Sequence, residues 1–402
     1  MWCSSEKSVD LTVEWRYRNT ILAFAALANF GQMSSRLVIS PVVPNILRTF
    51  EISKTAVGLA LTGMWAAYAL SQFPSGVLTA RFGERRVIIV ALSLLTLGSI
   101  SLSVAPSFAI FSLAALFLGA GTGLYFAAAA NFLSKLFSRR GQAIGITTAA
   151  GSFAGLIAPV FGAYIGARYG WRSAVLFGAA IALPLVFLFS FRVEPTEPDR
   201  PDQPLRNQLD RSMLVGYLTN PSIIYTIVLA GVGTFTFQAV TSFFPTFLVE
   251  QQHLSTEQAG LAFGVVFLLS AMMQPITGRL SDWVGRDIVI AGSMVFVISG
   301  IVMIFNPLPG VGLPGAIGLF GMGLSWFPVV LSRFMDVLPD ANRSTGFGLV
   351  RTVYMLFGAL GSVVTGAVAD SMGWEMAYSV VAGLIAVSLL LIVVNRTTRA
   401  GL

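Results

Sequence analysis

Charge is scarce in this chain: 11% of its 402 residues are Asp, Glu, Lys or Arg, against about 25% in soluble domains. A water-dispersed fold of this length needs far more polar surface. Cysteine is nearly absent. Cys3 stands alone, which rules out an intramolecular disulfide and a thiolate metal site. His253 is the single histidine, so histidine metal clusters and a Ser–His–carboxylate relay lack their parts. Its loop, EQQHLSTE (250–257), reads as a solvated connection. There is no Gly-x-x-x-x-Gly-Lys loop to cradle a phosphate. No enzyme activity and no cofactor are expected.

What fills the chain instead is apolar: 55% of residues are hydrophobic. Runs such as VIIVALSLLTLGSISLSV (87–104) and AYSVVAGLIAVSLLLIVV (377–394) reach the ~18–20 residues that cross a bilayer. Such runs recur along the whole length and predict an all-α membrane protein with lipid as its solvent. Apolar stretches between Pro, Gly and charge clusters place spans at 19–47, 55–79, 87–104, 108–137, 142–167, 173–191, 223–249, 256–280, 288–305, 311–337, 344–369 and 376–395. Residues 1–18 carry scattered charge without a cleavable signal pattern and read as a cytoplasmic leader. Residues 192–220, rich in Pro and in both signs of charge, have linker composition. This predicts six helices in 1–191 and six in 221–402.

The net charge of +7 is no footprint for nucleic acid, because the basic residues sit in short loops. With the N-terminus cytoplasmic, nineteen Lys and Arg fall on that side and four on the other. That bias predicts cytoplasmic termini and a cytoplasmic linker in a plasma membrane protein. The halves also repeat. QFPSGVLTARFGERRVI (72–88) aligns with MQPITGRLSDWVGRDIVI (273–290) at an offset of 202. GLIAPVFGAYIGARYGW (155–171) aligns with GALGSVVTGAVADSMGW (358–374) at 203. Paired six-span repeats are the plan of a rocker-type transporter with its site at mid-membrane.

At these residues the chain resembles the major facilitator superfamily over nearly its full length. The signature of that family, Gly-x-Leu-x-Asp-Arg-x-Gly-Arg plus a basic residue, lies between spans two and three and often recurs between eight and nine. The second copy here keeps Gly278, Leu280, Asp282, Gly285 and Arg286. The first keeps Gly76, Leu78, Arg81, Gly83 and Arg85, but has Ala80 in place of the Asp. The resemblance implies a twelve-helix fold in two pseudo-repeat bundles, alternating access, and function as a monomer. In the signature, glycines allow tight turns and close contact while the charged pair latches helix ends. Drug–proton antiporters of the family carry an arginine in span four, where this chain has Ala115. Gly151, Gly155 and Gly162 of span five read as close-packing positions.

Two arginines remain outside that count of Lys and Arg, Arg36 and Arg351, both inside spans, and intramembrane charge needs a function or a partner. Asn29, Gln32, Arg36 and Ser40 share a helical face of span one, and Arg351, Tyr354, Gly358, Ser362 and Thr365 share one in span eleven. Span two offers Trp65, Tyr68 and Gln72, and span seven Thr234, Gln238 and Thr241. In the family these four spans border the cavity. No span holds an Asp or Glu well inside it. Interior positive charge without acid favours a small organic or inorganic anion, such as a carboxylate, through charge-assisted hydrogen bonds. Helical rise separates Arg36 from the cytoplasmic end further than Arg351, which predicts different depths and contacts at opposite gates. Two alternatives stand beside the anion carrier: a multidrug or hydrophobic-compound exporter using the 31 Phe, 9 Tyr and 7 Trp, and a non-transporting sensor.

Overall fold

Proline and glycine set the breaks between long apolar helices in the computed structural model, which describes residues 5–198, 201, 216–306, 311–339 and 343–398 (for 5–16 and 343–345, the backbone alone). Cys3 and most of the expected linker lie outside the described residues. Helix α1 (Ser5–Leu37) runs through the segment expected as a leader and stops ahead of Pro41 and Pro44. A 3₁₀ turn (Ser40–Val42) and the short α2 (Val43–Phe50) complete the first span. Ser40 therefore leaves the helical face it was expected to share with Arg36, because the proline-imposed turn rotates it away.

The next helices are α3 (Lys54–Phe82), α4 (Glu84–Ser103), α5 (Phe108–Leu136), α6 (Arg140–Tyr169) and α7 (Trp171–Arg192). The second half holds α8 (Pro221–Glu250), α9 (Thr256–Val284) and α10 (Arg286–Phe305). Its tenth span is α11 (Gly312–Gly323) and α12 (Phe327–Val337), joined by a 3₁₀ turn at Leu324–Trp326. In α13 (Arg343–Thr398) the last two spans meet at Gly373, whose φ of 84° breaks the helix. Among the described residues the count is twelve spans, in two six-helix bundles. Nine of the described helices are long and apolar enough to cross a membrane by length and composition, the last of them holding two spans. Helices α1 and α3 are not among the nine, and both carry polar residues through their middles, which belong against protein rather than lipid.

The repeat is visible in side-chain chemistry. Gly170 and Gly373 adopt φ of 83° and 84°, a region open to glycine, and each is followed by the Trp that opens the half's last span. The Trp171 indole donates to Thr49 Oγ1 at 2.9 Å, at the end of the first span. The Trp374 indole donates to Glu250 Oε2 at 3.0 Å, at the end of the seventh. Each half thus pins its first helix to its last with one indole hydrogen bond.

The halves meet along α3 against α13 and α6 against α9. Lipid supplies no hydrophobic drive between helices, so close backbone packing must. A Cβ on Gly58 would lie 2.6 Å from the Ser362 carbonyl oxygen, and one on Gly366 2.5 Å from that of Lys54. Thr62 Oγ1 donates to the Ala359 carbonyl at 2.8 Å and accepts from the Val363 amide at 3.1 Å. At the tip of this seam the Lys54 ammonium lies 3.1 Å from Glu250 and 3.8 Å from Asp370. The Asp370 carboxylate also accepts from the Lys54 amide (3.2 Å), the Thr55 amide (2.7 Å) and the Thr55 hydroxyl (2.7 Å). The structure is therefore closed at the Lys54 end. At the opposite end, the pairs Lys135–Glu84, Arg286–Asp336 and Arg333–Asp287 each lie within one half.

Candidate functional site

The polar stripe of α1 forms a connected chain. Asn29 Nδ2 donates to the Thr147 carbonyl of α6 at 2.6 Å, and its Oδ1 accepts from Gln32 Nε2 at 2.7 Å. Gln32 Oε1 in turn accepts from Arg36 Nη2 at 2.7 Å, and its backbone carbonyl accepts from Arg36 Nε at 3.2 Å. Arg36 is 4% exposed, so its charge is held by these bonds and by π faces rather than by water. Its guanidinium carbon lies 4.6 Å from the centroid of Trp65 and 4.3 Å from that of Tyr68. Those rings stand at 86° to each other, and the cation occupies their corner.

Arg351 approaches from the other half. Its guanidinium carbon lies over Phe126 of α5 at 4.5 Å and over Phe347, one turn back on its own helix, at 5.9 Å. The Tyr68 ring carries the Arg36 guanidinium on its face, and Arg351 adds its positive charge to the surroundings of Tyr68. Tyr354 stands three residues after Arg351 on the same helix, fully buried, its ring stacked on Phe334 at 5.6 Å. Arg36 and Arg351 were expected at different depths, and both contribute to the surroundings of Tyr68. Among the described residues no carboxylate pairs with either arginine: the ion pairs involve Lys54, Lys135, Arg286 and Arg333.

The other expected positions divide. Gln72 joins the seam between halves, donating to Met355 Sδ at 3.2 Å. Gln238 is buried but turned to its own helix, its Oε1 accepting from Thr241 at 3.2 Å. Residues that sequence reasoning missed are Phe126, Phe347 and Thr147. Phe347 stands four residues before Arg351, a spacing that could have flagged it. Phe126 and Thr147 carry no such mark.

Of the signature positions, Gly83 and Gly285 take φ of 83° and 96° and make the expected turns. Gly76 and Gly278 would meet nothing within 4 Å if given a Cβ, so the expected close contact is not made there. Arg286 bonds Asp282 at 2.5 Å, Asp336 at 3.2 Å and Ser281 Oγ at 2.9 Å, tying α9, α10 and α12 together. In the first copy, Arg85 donates to the carbonyls of Phe189 (3.2 Å) and Ser190 at the end of α7. Arg81 lies over Phe82 at 5.4 Å. Gly151 abuts Asn29, Gly155 abuts Phe267 and Gly162 abuts Val38, the close packing expected of that series.

The sequence profile of the Major Facilitator Superfamily matches residues 23–332. The chain is 22% identical over 389 residues to the hexuronate transporter of Bacillus subtilis, spanning 91% of this chain and 92% of that one. It is 26% identical over 334 residues to the multidrug resistance protein Stp of Mycobacterium tuberculosis, spanning 78% of this chain and 62% of that one. A solved bacterial homologue of the human lysosomal transporter Spinster, inward-facing and occupied, superposes with a TM-score of 0.80 at 15% identity over 95% of this chain and 97% of that one, a likeness of fold. With twelve spans in two repeats and a profile match over most of its length, the chain belongs to the Major Facilitator Superfamily of multi-pass membrane transporters.

Proposed function

We propose that this transporter carries a small organic or inorganic anion, such as a carboxylate, by alternating access between the halves 1–191 and 221–402, coupled through the linker 192–220. One observation carries the reading: Arg36 and Arg351 both stand inside spans, held against aromatic rings, without a carboxylate partner among the described residues. Unneutralised guanidinium groups repel cations and bind carboxylates with short, charge-assisted hydrogen bonds. Arg36 and Arg351 supply the charge, Asn29, Gln32, Tyr68 and Tyr354 orient the ligand, and Gln72 and Gln238 border the path. Gly76, Arg81, Gly83, Arg85, Gly278, Asp282, Gly285 and Arg286 act at the gate opposite Lys54. With cytoplasmic termini, closure at the Lys54 end makes this an inward-open arrangement of a plasma membrane monomer. The relative named as a hexuronate transporter supports anionic cargo.

The test is uptake of labelled organic anions into proteoliposomes by the parent and by Arg36→Ala. Loss of uptake in the variant is expected; full retention would overturn the anion reading. A second reading, export of hydrophobic compounds, draws on the run of rings Trp65, Phe237 and Phe267, with centroid spacings of 6.3 and 6.0 Å, and on the relative named for multidrug resistance. Drug resistance in a susceptible host that survives loss of Arg36 would favour it.

A further inference from the structure

The polar atoms around the two arginines are mostly spent on each other. Asn29 bonds Thr147 and Gln32, and Gln32 bonds Arg36. The Ser35 hydroxyl donates to the Gln32 carbonyl at 2.9 Å. On α8, Thr234 donates to the Ala230 carbonyl at 2.8 Å and Thr241 to Gln238. Gln72 is turned to Met355. In this neighbourhood, Arg351 Nε and the Tyr354 hydroxyl, three residues apart on one helix, are buried and unpartnered. An unmade buried hydrogen bond is costly, so a ligand that satisfies both is selected. The rest of the wall is aromatic. Trp65 and Tyr68 hold Arg36 by its face, Phe126 and Phe347 hold Arg351, and rings continue from Trp65 to Phe237 and Phe267.

Resting on the anion reading above, we propose that the cargo is an amphipathic organic anion: one carboxylate on a flat, apolar body, rather than a hydroxyl-rich sugar acid or an inorganic oxyanion. A carboxylate accepts from Arg351 Nε and the Tyr354 hydroxyl while sharing the charge of Arg36. Its body lies against Phe126 and Trp65, whose faces gain from contact with a flat ring. A sugar acid brings several hydroxyls, each needing a partner, into a wall most of whose donors and acceptors are engaged. A site built to match polar groups rejects ligands that leave them unpaired, and the same logic rejects ligand hydroxyls that find none.

Equilibrium binding and thermal shift on the purified full chain separate these classes with five probes: phenylacetate, acetate, glucuronate, inorganic phosphate and neutral 2-phenylethanol. Phenylacetate should bind at least tenfold more tightly than each of the others. Tyr354→Phe should weaken phenylacetate severalfold while leaving the unliganded melting temperature equal or higher, because an unsatisfied buried hydroxyl is removed. Glucuronate or phosphate binding as tightly as phenylacetate would overturn the proposed class and leave the anion reading standing, as would acetate matching it. Equal binding of 2-phenylethanol, or binding of none of the anions, would overturn both. An unchanged phenylacetate affinity in Tyr354→Phe would remove the carboxylate position proposed here.

Discussion

Asp370→Ala should open the transporter at the Lys54 end. The carboxylate belongs to the second half, yet it accepts from the first two amides of α3, those of Lys54 and Thr55, and from the Thr55 hydroxyl. It therefore acts as a helix cap delivered across the interface, and losing a cap costs about 0.5–2 kcal/mol. Its ion pair with Lys54 is longer, at 3.8 Å, and partly exposed, so it adds at most about 1 kcal/mol. A net loss of about 1–2 kcal/mol shifts the ratio of closed to open molecules roughly 5- to 30-fold. Spin labels at Arg48→Cys and Gln251→Cys, both exposed and on opposite halves, report the separation by pulsed dipolar spectroscopy in a Cys3→Ser background. The parent should give a dominant short distance, and Asp370→Ala a new, longer component. Glu250→Gln, which touches Lys54 and the Trp374 indole, should give a smaller one. A distance distribution unchanged in Asp370→Ala would refute the role of this contact in closure.

Gly58→Leu places a side chain where a Cβ already lies 2.6 Å from the Ser362 carbonyl. The same label pair should then lengthen, and short distances retained in full would contradict close approach as the basis of the seam. Arg333→Ala strips the 2.6 Å partner from Asp287, in a cluster where Tyr225 donates to that carboxylate at 3.2 Å and Arg333 Nε donates to Thr226 at 3.2 Å. Breaking a buried pair from one side costs about 3–5 kcal/mol. A clear drop in melting temperature in detergent is expected, and a change under 1 °C would show the pair to be dispensable.

The twelve spans, the repeat and the family signature were legible because apolar length, glycine turns and loop charge are local properties of the chain. The α1 stripe was legible for the same reason: Asn29, Gln32 and Arg36 are neighbours on one helix, and their hydrogen bonds follow that spacing. What the residues could not disclose was anything set by the mutual placement of helices. Arg36 of α1 reaches the rings of Trp65 and Tyr68 on α3, and α3 in turn packs on α13, which carries Arg351; no single-helix count contains that arrangement. Arg333, one of the nineteen basic residues assigned to the cytoplasmic side, is 8% exposed and pairs with Asp287 on a helix remote in sequence. Ser40 was misplaced through a local cause, the turn that Pro41 imposes.

The altered first signature has an electrostatic explanation in the repeat. At the offset of 202, Ala80 corresponds to Asp282 and Glu84 to Arg286. In the second half Arg286 at the start of α10 pairs with Asp282 one turn earlier and with Asp336 near the end of α12. In the first half the signs are exchanged: Glu84, fully buried at the start of α4, pairs at 2.6 Å with Lys135 near the end of α5. An acid at position 80 would then stand four residues from the Glu84 carboxylate, and like charges at that spacing repel. Ala80 is thus the residue that the exchanged pair requires. Ala80→Asp alone should lower the melting temperature, by more than the few tenths of a kcal/mol of an exposed like-charge pair, because Glu84 is shielded from water. Combined with Glu84→Arg and Lys135→Asp, the same substitution rebuilds the arrangement of the second half and should recover most of the loss. Equal melting temperatures for the parent and Ala80→Asp, or a triple variant less stable than the single one, would show that the two ends are not electrostatic equivalents.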